Sequence, residues 1–117
     1  MKEVFKGFAL GAILAATALT AGAAPQWCQG TVSRLWVYSD GTIYFNSSYR
    51  GDYTRICNIN TEVGGISPTN CAAWFSILKS AVQRQSQVVV YYSDAASCGA
   101  LPNYAGTPWP GYVMQVD

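Results

Sequence analysis

The sequence predicts a small, mainly-β domain with one helix, cross-linked by disulfide bonds. Short runs rich in β-branched and aromatic residues alternate with turn-forming dipeptides, which is typical of strands joined by tight turns. One segment in the second half has apolar residues at helical spacing instead. The chain also has four cysteines and no histidine in 117 residues. An even cysteine count in so short a chain is typical of an exported protein with disulfide bonds.

The N-terminus has the pattern of a secretory signal peptide. Lys2 and Lys6 precede an apolar run over residues 8–19, which ends in small residues. We expect cleavage after Ala23, so that residues 1–23 are the signal peptide and residues 24–117 form one secreted or periplasmic domain. The alternative is a retained membrane anchor. The run is shorter than the ~20 apolar residues of a spanning helix, and no membrane span is expected in the mature chain.

The charge of the mature chain argues against one class of partner. The full chain has seven basic and six acidic residues, and Lys2, Lys6 and Glu3 belong to the leader. The mature part is therefore formally neutral and has no basic stripe to follow a phosphate backbone. We expect no nucleic-acid partner.

The first half of the mature chain predicts three strands. Residues 30–39 and 42–47 are rich in β-branched and aromatic side chains and flank Asp40-Gly41, a dipeptide that favours a two-residue hairpin. A third strand is predicted at residues 53–59, after the turn-like Arg50-Gly51-Asp52. This tripeptide matches an integrin-binding motif, but we interpret it as a turn.

The second half predicts a helix followed by two strands. Thr69 or Asn70 can cap the helix. Strands follow at residues 87–93 and 111–116, separated by the irregular loop 94–110. The apolar residues of the helix recur at i, i+3, i+4, i+7 and i+8: Trp74, Ile77, Leu78, Ala81 and Val82.

Three strands, a helix and two more strands are the order of a five-stranded OB-like barrel, in which the helix closes one end. An α+β sandwich with the same order is the alternative. Barrels of this kind bind oligosaccharides as well as oligonucleotides, so the fold does not by itself identify a ligand.

The four cysteines are predicted to form two disulfide bonds. Three pairings are possible. We favour Cys57–Cys71, which joins a strand end to the helix start, and therefore Cys28–Cys98. A zinc site or a thioredoxin-like centre is not expected, because the chain has no C-x-x-C motif and no histidine.

The sequence does not predict an enzyme. Without histidine there is no Ser-His or Cys-His pair, and the carboxylates are scattered through turns and loops. Asp94, just past the fourth strand, is the one carboxylate that we consider further, and the alternative is that it is a turn former. We expect no catalytic residues, no metal and no cofactor.

The aromatic content exceeds what so small a core can bury, with four tryptophans and eight tyrosines. Tyr104 and Trp109 lie in the proline-punctuated loop 94–110. Their rings are suited to stacking on sugars or on a partner protein. The alternative is that the loop folds back and buries its own rings.

Three segments, WCQGTV, RICNIN and NCAAWFSILKSAVQRQSQVVVYY, together resemble the pentameric B subunits of subtilase cytotoxin and typhoid toxin, which belong to the pertussis-like AB toxins. The resemblance implies an OB-fold subunit, a homopentamer, a toxin A chain as partner and binding of sialylated host glycans. It also implies that Tyr92 and Gln29 lie in the glycan pocket.

We therefore predict a secreted, non-catalytic subunit that binds a glycan or protein surface. The alternative is a small periplasmic or secreted structural or interaction protein without glycan specificity. The predicted glycan-binding residues are Tyr92, Gln29, Asp94, Tyr104 and Trp109.

Overall fold

The computed structural model describes residues 23–116. The predicted signal peptide therefore lies outside the described residues, except for its last position. Five strands and one helix follow in the predicted order: β1 Ala24–Val37, β2 Thr42–Ser47, β3 Tyr53–Asn58, α1 Pro68–Arg84, β4 Gln87–Ala95 and β5 Tyr112–Val116.

The five strands form one antiparallel sheet in the order β3-β2-β1-β4-β5, which confirms a mainly-β fold with one helix. The long strand β1 pairs with two neighbouring strands, one after the other. Its first part, Ala24–Thr31, pairs with β4, and its second part, Val32–Val37, pairs with β2. The strand begins six positions earlier than predicted, because the ladder with β4 extends to the pair of Ala24 and Ala95.

The predicted barrel is not closed in the described part of the chain, since β3 and β5 are at opposite ends of the sheet and do not pair. The loop before β5 lies along the outer edge of β3 instead. The backbone N–H of Tyr104 donates to the carbonyl of Tyr53 at 2.9 Å, and the hydroxyl of Thr107 accepts from the N–H of Arg55 at 3.4 Å. The loop therefore occupies backbone hydrogen-bonding groups of β3 that a strand closing the barrel would need.

The hairpin between β1 and β2 differs from the predicted two-residue turn. Tyr38 N–H donates to the carbonyl of Thr42 at 2.8 Å, which leaves three residues in the loop. The third loop residue, Gly41, has φ +95°, the left-handed conformation that such a loop requires at this position. Asp40 stabilises the turn by accepting from the N–H of Thr42 at 2.9 Å.

The core lies between the inner face of the sheet and α1. The helix begins at Pro68, and its cap is Ser67 rather than Thr69 or Asn70, because the Ser67 hydroxyl accepts from the N–H of Asn70 at 3.2 Å. Among the described residues no helix is long and apolar enough to cross a membrane. The core side chains contributed by the sheet and the helix include Ile43, Phe45, Ile56, Val88, Val90, Leu78 and Ala81.

Both predicted disulfide bonds are present, and no described cysteine is free. Cys57–Cys71 links the end of β3 to the first turn of α1, with the two Cα atoms 5.6 Å apart. Cys28–Cys98 links β1 to the loop that follows β4, with a Cα–Cα distance of 5.5 Å. The second bond therefore anchors the start of the loop that runs to β5.

Candidate functional site

Tyr92 is a core residue. Only 1% of the side chain is exposed. Side chains alternate between the two faces of a strand, so Val88, Val90 and Tyr92 point inward from β4 while Tyr91 points outward. This burial does not support the predicted role of Tyr92 in sugar binding, and its neighbour Tyr91 is the ring that reaches the outer surface.

The hydroxyl of Tyr92 belongs to a buried polar group of four side chains with Ser47, Tyr49 and Thr54. None of the four hydroxyl oxygens makes a hydrogen bond of normal geometry. Burial raises the pKa of Tyr49 to about 12, although the nearby hydroxyls of Ser47 and Tyr92 act in the opposite direction. Burial also raises the pKa of Tyr92, and Tyr49 raises it further. Both phenols therefore stay protonated at neutral pH.

Gln29 and Asp94 are both exposed, but the sheet does not bring them together. Gln29 pairs with Val89, the third residue of β4, and its amide donates to the side chain of Gln87 at 2.6 Å. Asp94 is near the far end of the same strand, next to Ala95, which pairs with Ala24. Tyr104 lies beside β3, at the other end of the sheet. The five predicted residues do not form one site.

Trp109 holds the loop against the domain rather than offering a free ring. The guanidinium carbon of Arg55 lies 3.9 Å from the centre of the indole, and Nε of Arg55 donates to the carbonyl of Thr107 at 2.9 Å. Partial burial lowers the pKa of Arg55, which remains a cation at neutral pH. The ring also packs against the core and against Gly64. The prediction that Trp109 stacks on a sugar is not supported by this placement.

The contact between Gly64 and Trp109 leads to a stability prediction. Gly64 and Gly65 have positive φ values of 55° and 79°, so alanine is strained at both positions. A Cβ atom at Gly64 would overlap the Trp109 ring, whereas at Gly65 it would have no neighbour within 4 Å. We expect Gly64→Ala to lower the free energy of unfolding by about 1–3 kcal/mol more than Gly65→Ala, measured by urea denaturation. Equal losses would contradict the close contact between Gly64 and the Trp109 ring.

Five other aromatic side chains form one continuous group on the outer face of β1, β2 and β3. We call this group the aromatic platform; its members are Trp36, Tyr38, Tyr44, Tyr53 and Tyr104.

Strand register creates the platform. Trp36 and Tyr44 are direct cross-strand partners, and their rings stack at 4.7 Å between centroids with 20° between planes. Tyr53 on β3 makes an edge contact with Trp36 at 5.8 Å. Arg34, two positions before Trp36 on the same face of β1, donates to the hydroxyl of Tyr53 at 3.0 Å. An exposed cation thus lies at the margin of the rings.

Tyr104 completes the platform from the loop before β5. Its ring lies 5.8 Å from that of Tyr44 and 5.9 Å from that of Tyr53. The residue has φ +48°, which is uncommon for a side chain of this size. Its position is supported by Thr107, whose hydroxyl hydrogen-bonds with the carbonyl of Tyr104 at 2.9 Å.

The charged residues of the Arg50-Gly51-Asp52 tripeptide also hold this loop. Arg50 donates to the carbonyl of Leu101, and Asp52 accepts from the side chain of Asn103 at 2.9 Å. The hydrogen bond from Asn103 and that from the N–H of Tyr53 hold the pKa of Asp52 below its usual value. The hydrogen bond from Asn103 to the Asp52 carboxylate is therefore present at neutral pH and is lost as the carboxyl protonates in acid. This geometry supports the turn interpretation of the tripeptide.

A second, smaller aromatic group lies on the outer face of β1, β4 and β5. We call Trp27, Tyr91 and Tyr112 the second aromatic cluster. Tyr91 stacks on Tyr112 at 5.0 Å, with 11° between planes, and Trp27 lies 5.3 Å from Tyr91. The indole of Trp27 is 60% exposed, which makes it a suitable control for the platform.

No group of three or more histidine, cysteine, aspartate or glutamate residues that could hold a metal ion comes together in residues 23–116. The platform offers ring faces, phenol hydroxyls and one guanidinium. Comparisons with protein-family models, curated proteins and solved structures give no significant match to this chain.

Proposed function

We propose that this protein is a secreted, non-catalytic binding protein that recognises cell-surface glycans on the aromatic platform. One observation carries the proposal: five aromatic rings are in contact on one outer face, and Tyr38 and Tyr104 in that group are 54% and 44% exposed. A contiguous aromatic patch that is exposed to solvent is typical of a surface that binds a ligand or a partner.

The chemistry of the platform suits a sugar. A pyranose ring has an apolar face of C–H groups and a rim of hydroxyls, and aromatic side chains combine a flat apolar body with a polar group at one end. The indole of Trp36 and the ring of Tyr104 can stack against the C–H face. The hydroxyls of the tyrosines and the guanidinium of Arg34 can hydrogen-bond to the sugar rim.

The strand order supports a relationship with OB-like domains. The order β3-β2-β1-β4-β5 is that of a five-stranded OB barrel opened between β3 and β5. Two disulfide bonds favour an oxidising compartment, as does the predicted signal peptide. We therefore retain the resemblance to the B subunits of AB toxins as part of the proposal, including a partner A chain, but the site is on the platform rather than at Tyr92.

The alternative is an interaction protein without glycan specificity. The second aromatic cluster favours it, because an exposed tryptophan beside two tyrosines is also typical of a protein–protein interface. The two proposals differ in which cluster binds and in what it binds.

A matched pair of tryptophan substitutions tests the glycan proposal. We expect the wild type to bind on an array of sialylated and neutral glycans and Trp36→Ala to weaken the binding of the best glycan about 30-fold, the effect of losing about 2 kcal/mol from a central aromatic contact. Trp27→Ala removes an exposed indole from the other cluster and should leave glycan binding unchanged.

The array result also decides between the proposals. A wild-type protein that gives no signal with either sialylated or neutral glycans would exclude the glycan proposal and favour the interaction protein. Binding that survives Trp36→Ala but is lost in Trp27→Ala would place the site on the second aromatic cluster and contradict the assignment to the platform.

A further inference from the structure

The second part of β1 has an open edge inside the sheet. The ladder between β1 and β4 ends at the pair of Thr31 and Gln87, whereas the ladder between β1 and β2 continues to Val37. The gap arises where α1 joins β4, because the chain ahead of β4 belongs to the helix and its cap at Gln85. On the β4 side, residues 32–37 have no strand partner in the described part of the chain.

A cleft of about 530 Å³ separates this open edge from the last turns of α1. Four consecutive residues of β1, Ser33 to Trp36, line one wall, so the cleft follows the direction of the strand. The helix wall includes Lys79, Val82 and Gln83. Val82 and the inward-facing Leu35 make the cleft apolar between the two walls.

Two of the β1 residues line the cleft with their main chain. The ring of Trp36 stacks on Tyr44, on the outer face of the sheet. The guanidinium of Arg34 reaches across β2 on the same face, to the hydroxyl of Tyr53. Because both side chains are engaged there, the wall that these residues present to the cleft is backbone.

Leu35 and Val37 direct their backbone groups toward the open side. In an antiparallel pair, the hydrogen-bonding groups of successive residues point to alternate sides of the strand. The N–H of Tyr38 donates to the carbonyl of Thr42 and closes the hairpin with β2. The residues two and four positions before Tyr38 therefore also bond to β2. Leu35 and Val37 lie between them and offer their N–H and C=O groups to a strand placed in the cleft.

The cleft has a positive charge. Lys79 is exposed on the helix wall, and no acidic residue is among those that line the cleft. Lys79 and Val82 are one turn apart on α1, at a spacing of about 5–6 Å. Alternate side chains on one face of a strand are about 7 Å apart. One face of an extended segment can therefore place an acidic side chain at Lys79 and an apolar one at Val82.

We infer that this cleft binds an extended, acidic peptide segment of a partner protein, which adds to the sheet as a strand beside residues 33–37. The segment continues the line of β4 and exchanges backbone hydrogen bonds with Leu35 and Val37. An apolar side chain on its inner face contacts Val82, and a carboxylate on the same face pairs with Lys79. A small amphiphile could fill the apolar part of the cleft but would leave the backbone groups of the edge unpaired. The inference uses neither the glycan proposal nor the resemblance to toxin subunits.

One short peptide and its N-methylated form test the strand pairing by NMR titration of the oxidised mature chain. The probe is acetyl-Thr-Val-Thr-Glu-Thr-amide, which has valine and glutamate on one face. We expect it to shift the amide resonances of Leu35 and Val37 and to slow their hydrogen exchange about 10-fold near saturation. N-methylation of the valine and the glutamate keeps both side chains but removes the donors that face β1. This form should bind at least about 10-fold more weakly.

A charge reversal at Lys79 tests the acidic preference. We expect Lys79→Glu to bind the probe about 5-fold more weakly and to prefer the version with lysine in place of glutamate. Arg84→Glu makes the same change of charge on the same helix, outside the cleft lining, and should leave the preference for glutamate unchanged at physiological ionic strength. Circular dichroism confirms that both variants are folded.

Several results would overturn the inference. Amides of Leu35 and Val37 that do not respond to the probe at millimolar concentration would do so, as would equal binding of the N-methylated form or an unchanged preference in Lys79→Glu. Decanoate that shifts these amides when the peptide does not would identify a site for small amphiphiles instead. Protection of the same amides that disappears on dilution of the free protein would mean that a second copy covers the edge. These measurements contain no glycan, so they are independent of the array result.

Discussion

Replacing Cys28 and Cys98 together by alanine is expected to lower the free energy of unfolding by about 4 kcal/mol, since this bond closes a loop with a sequence separation of 70 residues. In the chain-entropy model, the cost of losing a cross-link grows with the length of the loop that it closes. In a domain of this size the loss corresponds to a fall of roughly 15 to 30 °C in Tm, measured by circular dichroism.

The other disulfide bond provides the control. Cys57 and Cys71 are separated by 14 residues, so their replacement should cost about 3 kcal/mol. The two variants should also differ in binding. Cys28–Cys98 anchors the start of the loop that carries Tyr104, so its loss should weaken the proposed glycan binding even below the melting temperature. A Cys57/Cys71 variant that lost more stability than the Cys28/Cys98 variant would contradict this ranking.

Tyr92→Ala is expected to cost about 3–5 kcal/mol, the range found when a large aromatic side chain is removed from a core. The physical reason is that the ring is 1% exposed and packs in the hydrophobic core between the sheet and α1. Tyr91→Ala is the matched control at the next position, because that side chain is only half-buried on the outer face. Urea denaturation of both variants should show a clearly larger loss for Tyr92. Similar losses would mean that the assignment of faces along β4 is wrong.

The hydroxyl of Tyr92 can be tested separately from its ring. Tyr92→Phe removes a buried hydroxyl that makes no hydrogen bond of normal geometry. We expect its free energy of unfolding to be unchanged or about 1 kcal/mol higher, because a buried polar group without a partner is destabilising. A loss of more than about 1 kcal/mol would show that the hydroxyl has a stabilising partner, with Tyr49 as the first candidate.

Local patterns in the sequence predicted the elements and the cross-links. The spacing of Trp74, Ile77 and Leu78 predicted the helix, and β-branched and aromatic runs predicted five strands in the observed order. The pairing of Cys57 with Cys71 followed from their positions at a strand end and a helix start. The helix and the strands depend on residues close together in the chain, and the number of disulfide bonds follows from the number of cysteines.

The aromatic platform depends on details that local sequence patterns do not contain. A two-residue hairpin at Asp40-Gly41 would place Trp36 opposite Phe45, which points into the core. The three-residue loop, with Gly41 at φ +95°, shifts the register by one and places Trp36 opposite Tyr44. A shift of one residue exchanges the faces of a strand, so this turn determines whether the platform exists.

The sequence by itself therefore determined the order of the strands and the helix, the disulfide framework and the surplus of aromatic residues. Only the tertiary structure decided which rings are exposed together. Tyr91 and Tyr92 are adjacent and chemically identical, yet the register of β4 directs one outward and buries the other. Tyr104 reaches Tyr44 because the loop before β5 lies along β3. Register and edge pairing depend on contacts between segments far apart in the chain, whereas composition and periodicity report on neighbouring residues.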